Sequence, residues 1–104
     1  MALPPQLSPE DRQRALAKAA EARRRRAVLK EKLKMGSLTL PELLDLRGDD
    51  IVGKMKVLAV LESLPGVGKV KARRTLDEIG ISETRRVRGL GDQQRKALVE
   101  AFPG

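Results

Sequence analysis

The sequence predicts an all-α protein: a long N-terminal helix packed by its C-terminal part on a small helical domain. Two observations carry this expectation. No segment alternates apolar and polar residues over a useful length, so the strand period is missing. Cap and stop residues punctuate the chain at helix-sized intervals, from Ser8-Pro9 and Gly36 through Thr39, Asp49, Gly80 and Gly91-Asp92. Between them the apolar residues recur at three- and four-residue spacing. The expected division is an extended arm over 1–7, a long basic helix over 8–34 and a compact helical domain over 35–104.

Pro4 and Pro5 hold the arm open. Ser8 reads as an N-cap, with Pro9 at the first helical position and Glu10 and Asp11 in the first turn. Nothing breaks the helix before Gly36, which gives a rod of about 40 Å. A stripe of Ala15, Ala22, Leu29 and Leu33 carries large side chains only at its end, so Val28, Leu29 and Leu33 are expected to dock while the first half projects. Thr39 caps a short helix with Pro41 in its first turn, ended by Arg47-Gly48. Asp49 or Asp50 caps a continuous central core helix running to Leu64, with Ile51, Met55, Val57, Leu58, Val60 and Leu61 as its apolar content. Gly53 inside it costs helix propensity, which close packing against a neighbour would explain. Pro65-Gly66 turns the chain into a helix from about Val67 to Ile79, closed by Gly80. Residues 81–90 form a polar, basic connector. The last helix starts near Gly91-Asp92 and uses Leu98, Val99 and Phe102.

Charge says what the partner is. The chain has 22 Lys and Arg against 14 Asp and Glu, a net charge of +8. Residues 1–34 and 65–104 are basic, and the middle is mildly acidic. A polyanion is the expected ligand, met by two regions. His and Cys are absent, which removes the usual general base, the commonest metal ligands and any disulfide. No cofactor, metal site or enzyme is expected. No apolar run approaches the roughly 20 residues of a membrane span, and the N-terminus lacks a secretory layout, so a cytoplasmic location is expected. Phe102 is the one aromatic residue. Readers of single strands and RNA loops stack bases on aromatic rings, whereas a duplex backbone requires none.

Three motifs carry the chemistry. Pro65, Gly66, Val67, Gly68 and Lys69 form a glycine-rich turn that opens a helix, where free N–H groups and the dipole favour an anion. Lys71, Arg73 and Arg74 add charge beside it. A phosphate-binding loop of the Walker type would need Gly at 63 and Ser or Thr at 70; the chain has Ser63 and Val70. Arg85, Arg86 and Arg88, next to Gly89, crowd positive charge that a polyanion would bridge. In Arg23–Arg26 successive residues are about 100° apart on a helix, so not all can touch one duplex. Arg23, Arg24 and Lys30 are the candidates for a second DNA surface. A faint repeat aligns Gly66-Val67-Gly68 with Gly89-Leu90-Gly91 and would provide two such helix starts. Asp49-Asp50 reads as a helix cap rather than a metal site.

The segments GKMKV, LPGVGKVKA and RRVRGLGDQQRKAL, with the MALP start and the Ala/Arg first helix, resemble the integration host factor of actinobacteria over essentially the whole chain. That resemblance implies nucleoid-associated proteins with a helix–two-turns–helix motif that bind duplex DNA with little sequence preference, shape it, and can assist a phage integrase in recombination. It places DNA contacts on the 64–73 turn and on Arg85, Arg86 and Arg88, with a second surface on the first helix. The expected function is therefore a nucleoid protein, monomeric when free, that grips duplex DNA through phosphates. The alternatives are an RNA-binding or ribosomal-type protein, and a nuclease or glycosylase using the same hairpin.

Overall fold

The computed structural model describes residues 8–102. The arm expected over residues 1–7 lies outside the described residues. Among the described residues six α-helices follow one another: α1 Pro9–Met35, α2 Leu40–Asp45, α3 Asp50–Lys54, α4 Val57–Glu62, α5 Lys69–Ile79 and α6 Asp92–Ala101, with one 3₁₀ turn at Val87–Gly89. The all-α expectation holds. The one β-type feature among the described residues is an isolated antiparallel bridge between Lys56 and Arg86.

The Ser8 side chain accepts the Asp11 N–H at the start of α1, and Gly36 ends the helix at φ 79°. Every residue from Pro9 to Ala19 is exposed, whereas Leu29 and Leu33 are buried. Val28, expected beside them, faces solvent. It lies about a quarter-turn around the helix from Leu29, and α1 touches the body along a narrow edge. The radius of gyration is 16.4 Å, against about 13 Å for a compact chain of about 100 residues. The projecting half of α1 accounts for the difference.

Thr39 and Glu42 form a reciprocal capping box at α2. The helix ends at Asp45, before the expected Arg47-Gly48, and buries Leu40, Leu43 and Leu44. The central helix expected to be continuous from Asp50 to Leu64 is broken. Met55 and Lys56 are extended, at ψ 140° and 136°. There the Val57 N–H donates to the Arg85 carbonyl at 2.9 Å, and the Val87 N–H donates to the Met55 carbonyl at 2.9 Å. This distant pairing takes up backbone groups that the helix ladder would otherwise use, and it overrides local propensity. Residues 81–90 are thus more than a polar connector: Ile81 and Val87 are buried in the core.

Gly53 has the reason expected of it. A Cβ there would meet the Arg47 carbonyl oxygen at 2.8 Å and the Arg88 Cβ at 3.3 Å. The remaining core gathers Val52, Met55, Val57, Val60 and Leu61 with Val67, Ala72, Leu76 and Leu98. α3 packs on the 3₁₀ turn and on α1, α4 on α5, and α6 on both α5 and α2.

Asp49 ties two of these parts together. Its Oδ1 accepts the N–H groups of Ile51 and Val52, and its Oδ2 accepts from Arg25 of α1 at 2.6 Å. The Val52 N–H, and then Arg25 and Ile51, hold its carboxyl below the ordinary 3.8 against an opposing desolvation. Because the folded value is depressed, the stabilisation is fully present above the unfolded value and disappears as pH falls through the folded one. Asp49→Ala should cost about 1 kcal/mol as a lost cap. Asp49→Asn, which can still cap, should lose less and should flatten part of the acid-side decline in melting temperature.

Deleting residues 1–20 should leave a cooperatively melting domain, because the removed turns of α1 bury little while Leu29 and Leu33 remain. Loss of a cooperative transition in thermal circular dichroism would make the whole helix part of the core.

Candidate nucleic-acid interface

Two successive turns join α4 to α5. The Leu64 N–H closes on the Leu61 carbonyl at 3.1 Å, and the Val67 N–H closes on the Leu64 carbonyl at 3.2 Å. Gly66 sits at φ 72°, where a side chain is strained. Val67 is buried and pins the second turn, while Pro65, Gly66, Gly68 and Lys69 stay exposed. Because Val67 is committed to that turn, α5 starts at Lys69, two residues later than the sequence suggested.

The start of α5 is open. Its first intrahelical bond runs from the Ala72 N–H to the Gly68 carbonyl at 3.0 Å. The N–H groups of Lys69, Val70 and Lys71 therefore lie beyond the helix's own acceptors, and no side chain caps them. A Cβ built on Gly68 would meet nothing within 4 Å, so the protein's own packing does not require glycine there. An uncapped helix start with no acid in its first turn and Lys69 beside it suits an oxyanion.

The other basic residues of α5 are not equivalent. The Lys71 Nζ lies 5.8 Å from the centre of the Phe102 ring, and the Arg73 Nε pairs with Glu83 at 3.3 Å. That pair is exposed and correspondingly weak. Lys69 and Arg74 have no ion pair among the described residues.

Arg85, Arg86 and Arg88 follow the bridge to α3 and do more than carry charge. The Arg85 Nη1 donates to the Gly89 carbonyl at 2.7 Å and to the Gln94 Oε1 at 3.4 Å. The Arg86 Nη1 donates to the Lys54 carbonyl at 2.7 Å. Arg88 has its Cβ against Gly53. Arg86 and Arg88 remain exposed, and Arg85 is half-buried. The segment is anchored by its backbone and keeps guanidinium donors free at the surface.

The faint repeat is real in one respect. Gly68 and Gly91 both precede a helix in the same extended conformation. The second start is not equivalent: Gln94 accepts the Gly91 N–H at 3.0 Å, and Asp92 puts a negative charge in the first turn. Only the first is suited to an anion.

On α1, Arg23 and Arg24 are exposed without an ion pair among the described residues, and Arg25 is taken by Asp49. Lys30 lines a groove of about 890 Å³ whose other wall is the Ser63–Gly68 turn. It is therefore not remote from the turn. Lys30 and Arg26 also line a smaller hollow with Lys54, Lys56 and Arg86. Sequence reasoning assigned Lys54 and Lys56 to no DNA surface, because two lysines on an expected continuous helix do not show which face they share with Arg26, Lys30 and Arg86. Asp49 is the cap it was expected to be.

Residues 33–102 match the family model described as an S13-like H2TH domain. Over 103 residues the chain is 58% identical to the Integration host factor of Mycobacterium tuberculosis, covering 98% of this chain and 97% of that protein. It is 54% identical to the Integration host factor of Streptomyces coelicolor, covering 98% and 95%. The chain belongs to the integration host factor family. A solved structure of sIHF bound to an 8 bp palindromic DNA superposes with a TM-score of 0.81 and 52% identity, over 83% of this chain and 98% of that one. The helix–two-turns–helix architecture expected from the resemblance is thus the fold of this chain.

The two buried-versus-open glycines give a direct test of the interface. Gly68→Ala should leave the melting temperature nearly unchanged and weaken duplex binding, because a methyl group would stand where an anion approaches. Gly53→Ala should lower the melting temperature, since a clash of about 1–3 kcal/mol outweighs a propensity gain of about 1 kcal/mol.

Proposed function

We propose that the protein is a non-catalytic, nucleoid-associated DNA-binding protein that grips duplex DNA through its phosphate backbone with low sequence specificity. The observation that carries this reading is the uncapped, acid-free start of α5 behind the Pro65–Gly68 turn, beside Lys69. The DNA-bound relative of the same fold supports it. A ribosomal-type RNA function is not favoured by these relatives.

In this reading a phosphate accepts from the N–H groups of Lys69 and its neighbours, with Gly66 and Gly68 letting the backbone come close. Lys71 and Arg73 flank it. Arg86 and Arg88 meet further phosphates of the duplex, and Arg85 and Gly89 hold that segment in place. Arg23, Arg24 and Lys30 on the first helix form the second contact region. Phosphate contacts fix position without reading bases, so affinity changes little with sequence.

The functional division follows from the projecting helix: residues 8–34 act as a basic outrigger on the domain 35–104. Two contact regions on a small body suit a protein that shapes DNA and, in a nucleoprotein complex, supports a phage integrase. The free protein acts as a monomer located on the nucleoid. No helix among the described residues is long and apolar enough to cross a membrane.

Anisotropy titrations of duplexes with unrelated sequences should give similar affinities. The slope of log K against log salt concentration should be about −4 to −5, reflecting about four to six phosphates. A slope shallower than about −2 would remove phosphate pairing as the main source of affinity. Preference for RNA of matched length would favour the ribosomal-type alternative.

A further inference from the structure

The break between α3 and α4 creates a feature that joins Lys30 and Arg86, one from each contact region described above, to three cations that those contacts leave out. Extended Met55 and Lys56 bring Lys54 and Lys56 to either side of the junction, and the Lys56–Arg86 bridge adds Arg86. α1 crosses the same place and contributes Arg26 and Lys30. These five cations surround a hollow of about 220 Å³ whose lining is completed by Met55 and Ala59 and includes no carboxylate.

One of the five side chains is anchored to the backbone. The Arg86 Nη1 donates to the Lys54 carbonyl at 2.7 Å, which sets its guanidinium at the rim and leaves its other donors unused by the hydrogen bonds of the described residues. Lys54 has an exposed partner, Asp50, at 3.4 Å, and such a pair is screened in water. Arg26, Lys30 and Lys56 have no ion pair among the described residues. Gathering like charges around a concave surface is unfavourable until an anion enters. Concavity over an apolar floor raises the local field that such an anion experiences.

The geometry points to a discrete phosphate seat formed by Arg26, Lys30, Lys54, Lys56 and Arg86, which takes a phosphate group of a DNA strand or of a free polyphosphate. It rests on the duplex-binding reading only for the first source. A strand phosphate held there would join the basic face of α1 to the Arg85–Arg88 segment, making one continuous track instead of two separate surfaces. A free polyphosphate held there would compete with that track while leaving the α5 start accessible.

The test uses the full chain and the double variant Arg26→Ala/Lys56→Ala, whose side chains make no hydrogen bond or ion pair among the described residues. Circular dichroism should show an unchanged melting transition. With sodium tripolyphosphate, the amide resonances of Lys54–Val57 and Arg86 in the wild type should shift saturably, and the double variant should lose that response. With duplex DNA, the double variant should show a salt slope smaller in magnitude by about 1 for the lost seat. Loss of the tripolyphosphate response alone assigns the seat to free polyphosphate, and loss of slope alone assigns it to the strand. If neither changes, the seat does not exist. Lys69→Ala, measured in parallel, separates the two readings. If it weakens duplex binding while the double variant matches wild type in both assays, the α5 contact stands and the seat falls. If it has no effect on duplex affinity, the α5 contact itself is wrong, whatever the seat does.

Discussion

Two backbone hydrogen bonds, Val57 N–H to the Arg85 carbonyl and Val87 N–H to the Met55 carbonyl, hold the rest of the architecture in register. They split the central apolar segment into α3 and α4. They also bring a basic segment from 30 residues away to the flank of α3, and they insert Val87 into the core. Gly53 is the steric counterpart of this pairing, since even a methyl group would collide with the Arg47 carbonyl and press on Arg88. Placing the Arg85–Arg88 segment therefore depends on a bridge of two strand-like residues and on one absent side chain. Arginines at positions 85 and 86 reinforce it by donating to carbonyls. Their roles in structure and in charge are not separable.

The same economy of contacts appears at α5. Val67 is buried and closes the second turn, which ends the chain's freedom just before the helix begins. What remains outside is a helix start with three uncommitted N–H groups and glycine on each side of the anchoring valine. Its counterpart at α6 has the same backbone entry, but there Gln94 takes the Gly91 N–H and Asp92 adds a negative charge to the first turn. Two helix starts with similar sequence signatures thus differ in electrostatic character, and the difference is made by residues one and three places beyond the glycine.

The first helix is held lightly for its length. Leu29 and Leu33 are its buried residues, and the Arg25–Asp49 pair is its polar tie to the α3 cap. Burying two leucines is worth roughly 1.5–3 kcal/mol each, enough to fix the C-terminal turns but not to constrain those before Ala20. The projecting part keeps its cations in water, free to follow a ligand's surface, while Arg26 and Lys30 are carried close to the body.

By itself the sequence determined what local chemistry can encode. Ser8, Thr39, Asp49 and Gly80 mark helix ends through interactions within a few residues, so those ends were legible. The polyanion partner was legible from charge, and the open turn from Pro65–Gly68 beside Lys69. The projecting half of α1 followed from its lack of large apolar residues. The tertiary structure alone decided the break at Met55-Lys56, because its cause lies at Arg85–Val87 and leaves no trace in the local apolar period. It alone turned residues 81–90 from a connector into part of the core and exposed Val28. It alone gathered Arg26, Lys30, Lys54, Lys56 and Arg86 around one hollow. Each of these depends on contacts between residues far apart in the chain, and a sequence read along its length records which charges exist but not which of them meet.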